Sequence, residues 1–313
     1  MAMKAMPRAH PQRQTADIRG RTWWMLHLHR ALASIIPLEL AYLVSQPIAD
    51  LFFLTWASKR EAACRNYARL LGISPQDPRA RRLARSSFHH FGRYIAELLS
   101  VQGWDLEDLR SRVTIYGDEH FQEAASYGRG VIFTSAHMGS IEVASALLLI
   151  HGYRITSVME QLRPWWLHEW VVACRARMGV TLLPAEGTGL RLLRALKRNE
   201  LVALVIDLGV KNGDGQPVTF FGHKTWFPTA PARLARLSGA PLLFGLAVRK
   251  PHGRFVAYVS PPIFAQPQLD PEEDAHQTTQ RLLREFERFV ARYPDQWYPF
   301  RDMFPLDPAT TKA

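Results

Sequence analysis

Cysteine is almost absent: Cys64 and Cys174 are the only two in 313 residues. Two are too few for a disulfide framework, and they show no metal-ligand spacing. A stapled secreted scaffold is thereby excluded, and a reducing, cytoplasm-facing compartment is expected. Other signatures are missing too. There is no Walker lysine loop, no His-Glu-x-x-His pair and no Gly-x-Ser-x-Gly nucleophile turn. Gly187-x-Gly189 follows an apolar run, and Asp207 closes the next one about 20 residues on, as in a dinucleotide-binding unit. However, Leu192 stands where the third glycine belongs, and Glu186 would repel a pyrophosphate. No zinc-finger, RNP or basic-zipper pattern accompanies the arginines, which are spread along the whole chain, so nucleic acid is not an expected partner.

Positive charge is abundant. Lys and Arg number 39 against 28 Asp and Glu, for a net charge of +11. That balance suits an anionic membrane surface or an acidic substrate. With 47% hydrophobic residues the chain has ample material for a core, in one large domain or two modest ones.

Residues 1–21 hold Lys4, Arg8, Arg13, Arg19 and Arg21 against Asp17 and show no apolar period. They lack the apolar core and cleavage site of a secretory signal. A mobile basic tail is expected, either solvated or resting on acidic headgroups at about 1 kcal/mol per basic residue. Residues 31–56 are the most apolar stretch and exceed the ~20 residues that span a bilayer. Pro37, Glu39, Gln46, Pro47 and Asp50 interrupt them, and acids are costly at the bilayer centre. Two short helices lying in the interface or docked on the domain are expected, flanked by Trp23, Trp24 and Trp56. A buried helical hairpin is the plainer alternative.

Helical periodicity follows over 59–71 and 77–100, where Leu83, Phe88, Phe91, Tyr94, Ile95 and Leu98 mark a core face. From about 113 short apolar runs alternate with helices. Strands are expected at Val131–Ala136, Ile155–Met159, Thr181–Pro184, Leu201–Asp207, Leu242–Val248 and Phe255–Val259. Helices are expected at 140–150, 164–178, 188–198, 229–238 and 270–293. This alternation predicts an α/β fold, a mostly parallel central sheet flanked by helices, with an α-helical N-terminal extension. The chain divides into a basic tail (1–21), a helical region (22–112) containing the membrane-associating segment 31–56, an α/β domain (113–306) and a short tail (307–313).

Ligands of such sheets collect where strands end and helices begin. In VIFTSAHMGSIEVASALLLI a buried strand ends near 135–136 and a helix begins at 139 or 140, with His137 between them and Glu142 in the first helical turn. Because His137 precedes the helix, the chain can fold back so that the Glu142 carboxylate takes the Nδ1 proton. Nε2 is then left to accept a proton from a substrate hydroxyl. The helix N-terminus favours the neutral ring, and Gly139 lets a substrate approach the backbone. The plainer reading is a capping histidine with an acid complementing the helix dipole. Asp207 belongs at the same sheet edge, as a second carboxylate near the imidazole, a ligand contact or a turn cap. Arg163, Arg175 and Arg177 are candidate guanidiniums for a phosphate-bearing donor. Gly222, His223 and Lys224 read either as the basic rim of an apolar pocket wall or as part of a strand and loop with core aromatics.

From about Trp23 to Pro305 the chain resembles the bacterial late acyltransferases of lipid A biosynthesis and the related phosphatidylinositol mannoside acyltransferases. The resemblance rests on CRNYARLLG, SFHHFGRYIAELL, TSAHMGSIE, CRARMG, LVALVIDLG, FFGHKTWFPTAPARLARLSGAP and PDQWYPFRDMFP, in family order. It implies a glycerolipid-acyltransferase-like fold. The implied activity moves a fatty acyl chain from acyl-CoA or acyl carrier protein, a co-substrate rather than a cofactor, to a lipid hydroxyl. No metal and no covalent acyl-enzyme are implied, and the setting is the cytoplasmic face of the bacterial inner membrane. By the same resemblance His137 is the general base, Glu142 its partner, Asp207 a further active-site acid, and Arg175 an arginine near a donor or acceptor phosphate. The sequence departs from the lipid A enzymes in lacking a Trp before Glu142 and a Gln-Asp after Asp207, and QWYPFRDMFP is nearer the glycophospholipid branch. The alternative of another class is a non-catalytic peripheral lipid-binding protein of the same fold.

Overall fold

The computed structural model describes residues 36–150, 152–208 and 215–304. The basic tail, Trp23, Trp24, residues 31–35 and the 307–313 tail lie outside the described residues.

Helix α1 (Leu38–Thr55) runs unbroken through Pro47, where two short helices are expected from the sequence. A proline inside a helix removes one hydrogen bond and crowds the preceding turn. Here the proline is exposed, and packing on either side of it holds the axis. Tyr42 donates to Glu97, Phe53 meets Phe88 edge-on at 5.3 Å, and Gly92 lets the α1 backbone come close at Ser45. The partner in all three contacts is α3 (Pro78–Ser100), which starts with an Asp77 cap accepting from Arg79 N at 2.8 Å and with proline in its first turn. Between them α2 (Ala57–Leu71) stops at Gly72, which adopts the left-handed conformation. The short α4 (Leu106–Arg112) carries a reciprocal Asp105–Asp108 capping box.

The sheet strands are β1 (Val113–Tyr116), β2 (Val131–Ser135), β3 (Ile155–Met159), β4 (Val180–Pro184), β5 (Leu201–Val205), β8 (Leu242–Lys250) and β9 (Arg254–Val259). Their order is β1-β9-β8-β2-β5-β3-β4, every neighbouring pair parallel except β8 with β9. The intervening helices are α5 (Asp118–Ser126), α6 (Ile141–Ile150), α7 (Trp165–Arg177), α8 (Gly189–Lys197), α9 (Ala230–Ser238) and α10 (Pro271–Arg292). A separate antiparallel hairpin, β6 (Gly215–Phe220) and β7 (His223–Pro228), turns through Phe221 and Gly222, both at positive φ, as two-residue hairpins require.

β2 sits in the middle of the sheet and is buried along its whole length, as its unbroken VIFTS run demands of a strand covered on both faces. Phe53, Tyr67 and Phe88 of the helical region share one core with Ile132, Phe244, Phe286 and Trp297. The N-terminal helices are therefore built into the α/β body. A buried ion pair ties the two layers: Arg249 of β8 holds both carboxylate oxygens of Glu97 on α3. Neither residue reaches solvent appreciably, at 6% and 0% exposure.

Replacing Glu97 with Ala leaves the Arg249 charge buried without its partner. The expected loss is about 3–5 kcal/mol of unfolding free energy, read from urea denaturation; a loss under about 1 kcal/mol would contradict the coupling described.

Candidate active site

Register builds the site. β2 and β5 pair in parallel with Ser135 opposite Val205, and Ile206 N donates to Ser135 O at 2.9 Å. Two residues further on, His137 stands against Asp207. Adjacent strands lie about 4.8 Å apart, so the carboxylate nearest the ring comes from the neighbouring strand. His137 Nδ1 lies 2.8 Å from Asp207 Oδ1, and the His137 backbone N–H donates to Oδ1 and Oδ2 at 2.9 and 3.0 Å. Trp297 Nε1 donates to Oδ2 at 3.0 Å.

A carboxylate only accepts, so Nδ1 carries a proton and the second nitrogen of the neutral ring presents its lone pair. Among the described residues nothing hydrogen-bonds Nε2. The His137 side chain is 36% exposed, whereas that of Asp207 is 2% exposed. Burial by itself would raise the Asp207 pKa. The adjoining His137 ring, the His137 backbone N–H and the Trp297 indole outweigh it and hold the carboxyl below its ordinary range.

Glu142 does not meet His137. The expectation that its carboxylate takes the Nδ1 proton is corrected here: Asp207 fills that place. α6 begins at Ile141 and turns the Glu142 side chain toward α3 and α7. There it accepts from Arg175 at 2.8 Å and from the Tyr94 hydroxyl at 3.3 Å, itself only 2% exposed. Arg175 is thus held by Glu142 and Tyr94, and no hydrogen bond or ion pair among the described residues joins it to His137 or Asp207.

Gly139 is also corrected. Its φ is +62°, and a Cβ there would lie 2.0 Å from the Ala247 carbonyl oxygen. The missing side chain lets the turn pack on β8, not a substrate on the turn. The Gly139 carbonyl accepts from Arg249 at 2.9 Å and from the Tyr298 hydroxyl at 2.7 Å. Arg163 is exposed on the loop after β3. Gly222, His223 and Lys224 form the turn and start of the β6–β7 hairpin. His223 Nε2 lies 3.3 Å from the Arg69 carbonyl oxygen and its ring packs on Phe304, while Lys224 is exposed. No hydrogen bond or ion pair among the described residues joins these four to His137. The Arg177 side chain lies outside the described residues.

Several residues were given no functional role in the sequence reading: Trp297 and Tyr298 after α10, Tyr94, which was read as core, Arg249, and Arg301, which donates to the Leu208 carbonyl at 2.7 Å and pairs with Glu160 at 2.7 Å. The one usable signal was QWYPFRDMFP itself, since a buried tryptophan needs a partner for its N–H. An apolar crevice under α6, between Phe133, Leu148 and Leu246, has a volume of about 40 Å³. That is room for a few water molecules.

A histidine tethered at one nitrogen and open at the other, on the carboxyl edge of a helix-flanked parallel sheet, has the geometry of a general base. The model of the bacterial lipid A biosynthesis acyltransferases matches residues 10–304, and the chain belongs to that family. It is an acyltransferase of lipid biosynthesis. Curated relatives include the phosphatidylinositol mannoside acyltransferases of Mycobacterium tuberculosis, 29% identical over 255 residues, and of Mycolicibacterium smegmatis, 28% identical over 259. The matches cover 78% of this chain and 76% and 79% of those proteins. Among solved structures, the 1-acyl-sn-glycerophosphate acyltransferase of Thermotoga maritima aligns over 83% of this chain and 99% of its own, with a TM-score of 0.37 and 13% identity.

The depressed Asp207 carboxyl contributes stability above the ordinary carboxylate range, and that contribution is lost as pH falls through its folded value. Asp207→Asn has no such titration. The difference in unfolding free energy between the two proteins is expected to be constant above about pH 5 and to shrink below about pH 4. A constant difference down to about pH 3 would contradict the depressed carboxyl.

Proposed function

We propose that the protein transfers a fatty acyl chain from an acyl thioester, acyl-CoA or acyl carrier protein, to a hydroxyl of a lipid A-like or phosphatidylinositol mannoside-like acceptor. His137 is the general base and Asp207 the carboxylate that orients it. The observation that carries this reading is the free, accessible Nε2 on a ring whose Nδ1 is held by a buried carboxylate. In the reaction Nε2 takes the proton of the acceptor hydroxyl as its oxygen attacks the thioester carbonyl carbon. The tetrahedral intermediate collapses with cleavage of the C–S bond, and the imidazolium returns the proton to the departing sulfur. The acyl group never resides on the protein. Glu142 keeps Arg175 extended, and that guanidinium is the candidate for a phosphate of donor or acceptor.

The acceptor is a membrane lipid, and α1 offers a surface for reaching it, at the cytoplasmic face of the inner membrane. By length and composition α1 could cross a membrane. Yet it packs along α3, and its partly exposed Asp50 is paired there with Arg85 and His89. Outward it exposes Leu40, Leu43, Val44, Ile48, Leu51 and Leu54, with Trp56 at its end. An acid-free apolar face about 21 Å long, from Leu40 to Leu54, fits a helix lying in the interface better than one spanning it.

His137→Ala is expected to retain the fold, by circular dichroism, and to lose transfer. Asp207→Asn is expected to slow it by about 10²–10⁴-fold. The measurement is thiol release together with lipid mass spectrometry, in which the product gains one acyl group. Full activity in His137→Ala would remove the mechanism, and lipid binding without thiol release would favour a non-catalytic protein. In a separate test, Leu43→Glu with Leu51→Glu should weaken partition onto acidic-lipid vesicles by about tenfold or more. Undiminished partition would remove α1 as the membrane surface.

A further inference from the structure

We propose that Trp297 is a positioning residue of the His137–Asp207 pair, acting through the hydrogen bond from its indole N–H to Asp207 Oδ2. The inference rests on the base assignment made above and adds the element that holds that base in register.

A carboxylate swings freely about its last torsion unless its oxygens are held. Asp207 Oδ1 has the ring and the backbone N–H of His137, at 2.8 and 2.9 Å. Oδ2 has the same backbone N–H, shared at 3.0 Å, and the indole at 3.0 Å. Among the described residues the indole is the one donor to this carboxylate that His137 does not supply, and the Trp297 side chain is fully buried. With Oδ2 fixed from behind, Oδ1 stays aimed at Nδ1.

The segment carrying the indole also carries the base. Residues 296–298 lie antiparallel to the His137 turn, with a bridge between Met138 and Trp297. Gly139 N donates to Gln296 O at 2.9 Å, and Tyr298 N donates to His137 O at 2.8 Å. One short strap therefore sets both the backbone of His137 and the carboxylate of its partner. The strap has separate anchorage in α2, where the Tyr67 hydroxyl reaches the carbonyls of Pro294 and Trp297 at 2.8 and 2.9 Å. Loosening the strap and removing the indole N–H can thus be done independently.

The charged and titratable groups around the pair are Tyr67 against the indole ring, His90 with Asp295 at the base of the strap, and Arg301 with Glu160 beyond Leu208. Among the described residues none of them hydrogen-bonds Asp207. Without the indole N–H the carboxylate charge concentrates on the ring, which favours the protonated pair. The acidic limb of kcat/KM then moves to higher pH. Orientation is lost as well, so kcat falls while KM for both substrates stays near its wild-type value, because a fully buried indole touches neither.

The test replaces Trp297 in the full chain by β-(3-benzothienyl)alanine, which exchanges the N–H for sulfur at nearly constant shape. Trp297→Phe is the simpler variant, and Tyr67→Phe is the control that loosens the strap but leaves the indole bond. Expected in the benzothienyl protein are a fall in kcat of about tenfold or more, unchanged KM, and an acidic limb shifted up by about half a pH unit or more. An unshifted limb overturns the proposal. So does a Tyr67→Phe protein whose limb moves as far. Activity surviving in His137→Ala would instead remove the base assignment, so the two failures are distinguishable.

Discussion

A carboxylate sealed from water must find all its donors inside the protein, and Asp207 is the point from which this site is organised. At 2% side-chain exposure its charge would be costly if left alone. The parallel register of β2 and β5 brings the ring and backbone of His137 to one side of it, and the strap after α10 brings Trp297 to the other. The hydrogen bonds that satisfy the charge also orient the imidazole. Folding and the proposed chemistry therefore depend on the same contacts.

Around that centre, two further buried acids pin the surrounding elements. Glu97 on α3 binds Arg249, and Arg249 joins Tyr298 in holding the Gly139 carbonyl. Glu142 binds Arg175 under the Tyr94 hydroxyl, whose pKa burial pushes upward. The His137 turn is thus gripped by helix, strand and strap at once. Such over-determination fits the proposed role of His137, a base that has to keep its place through the reaction. The exposed apolar surface is elsewhere, on the outer face of α1.

Much of this was legible in the sequence. The buried VIFTS and LVALV runs were readable as central strands because a strand covered on both faces has no polar alternation to disguise it. His137 and Asp207 were singled out because ligand sites of such sheets collect at strand ends, and Arg175 as a guanidinium near the end of a helix. Glu142 was read wrongly as the ring's partner, since proximity along the chain says nothing about which neighbouring strand lies closer. Gly139 looked like an opening for substrate, yet it serves close packing on β8. For His223 and Lys224 the sequence left a pocket rim and a strand-and-loop open, and they belong to a hairpin held against α2 and Phe304. β1 was missed because four half-exposed residues carry little pattern, and the Pro47 break in α1 was overridden by packing on α3.

What the sequence determined alone is what local pattern encodes: the alternation of strand and helix, the turn that carries His137, and the apolar character of α1. Which carboxylate faces the imidazole, and that an indole near the end of the chain completes its set of donors, only the tertiary structure decided. Residues 137, 207 and 297 are far apart in the chain, and strand register with strap pairing, not spacing, brings His137 Nδ1 and Trp297 Nε1 to 2.8 and 3.0 Å from the Asp207 carboxylate.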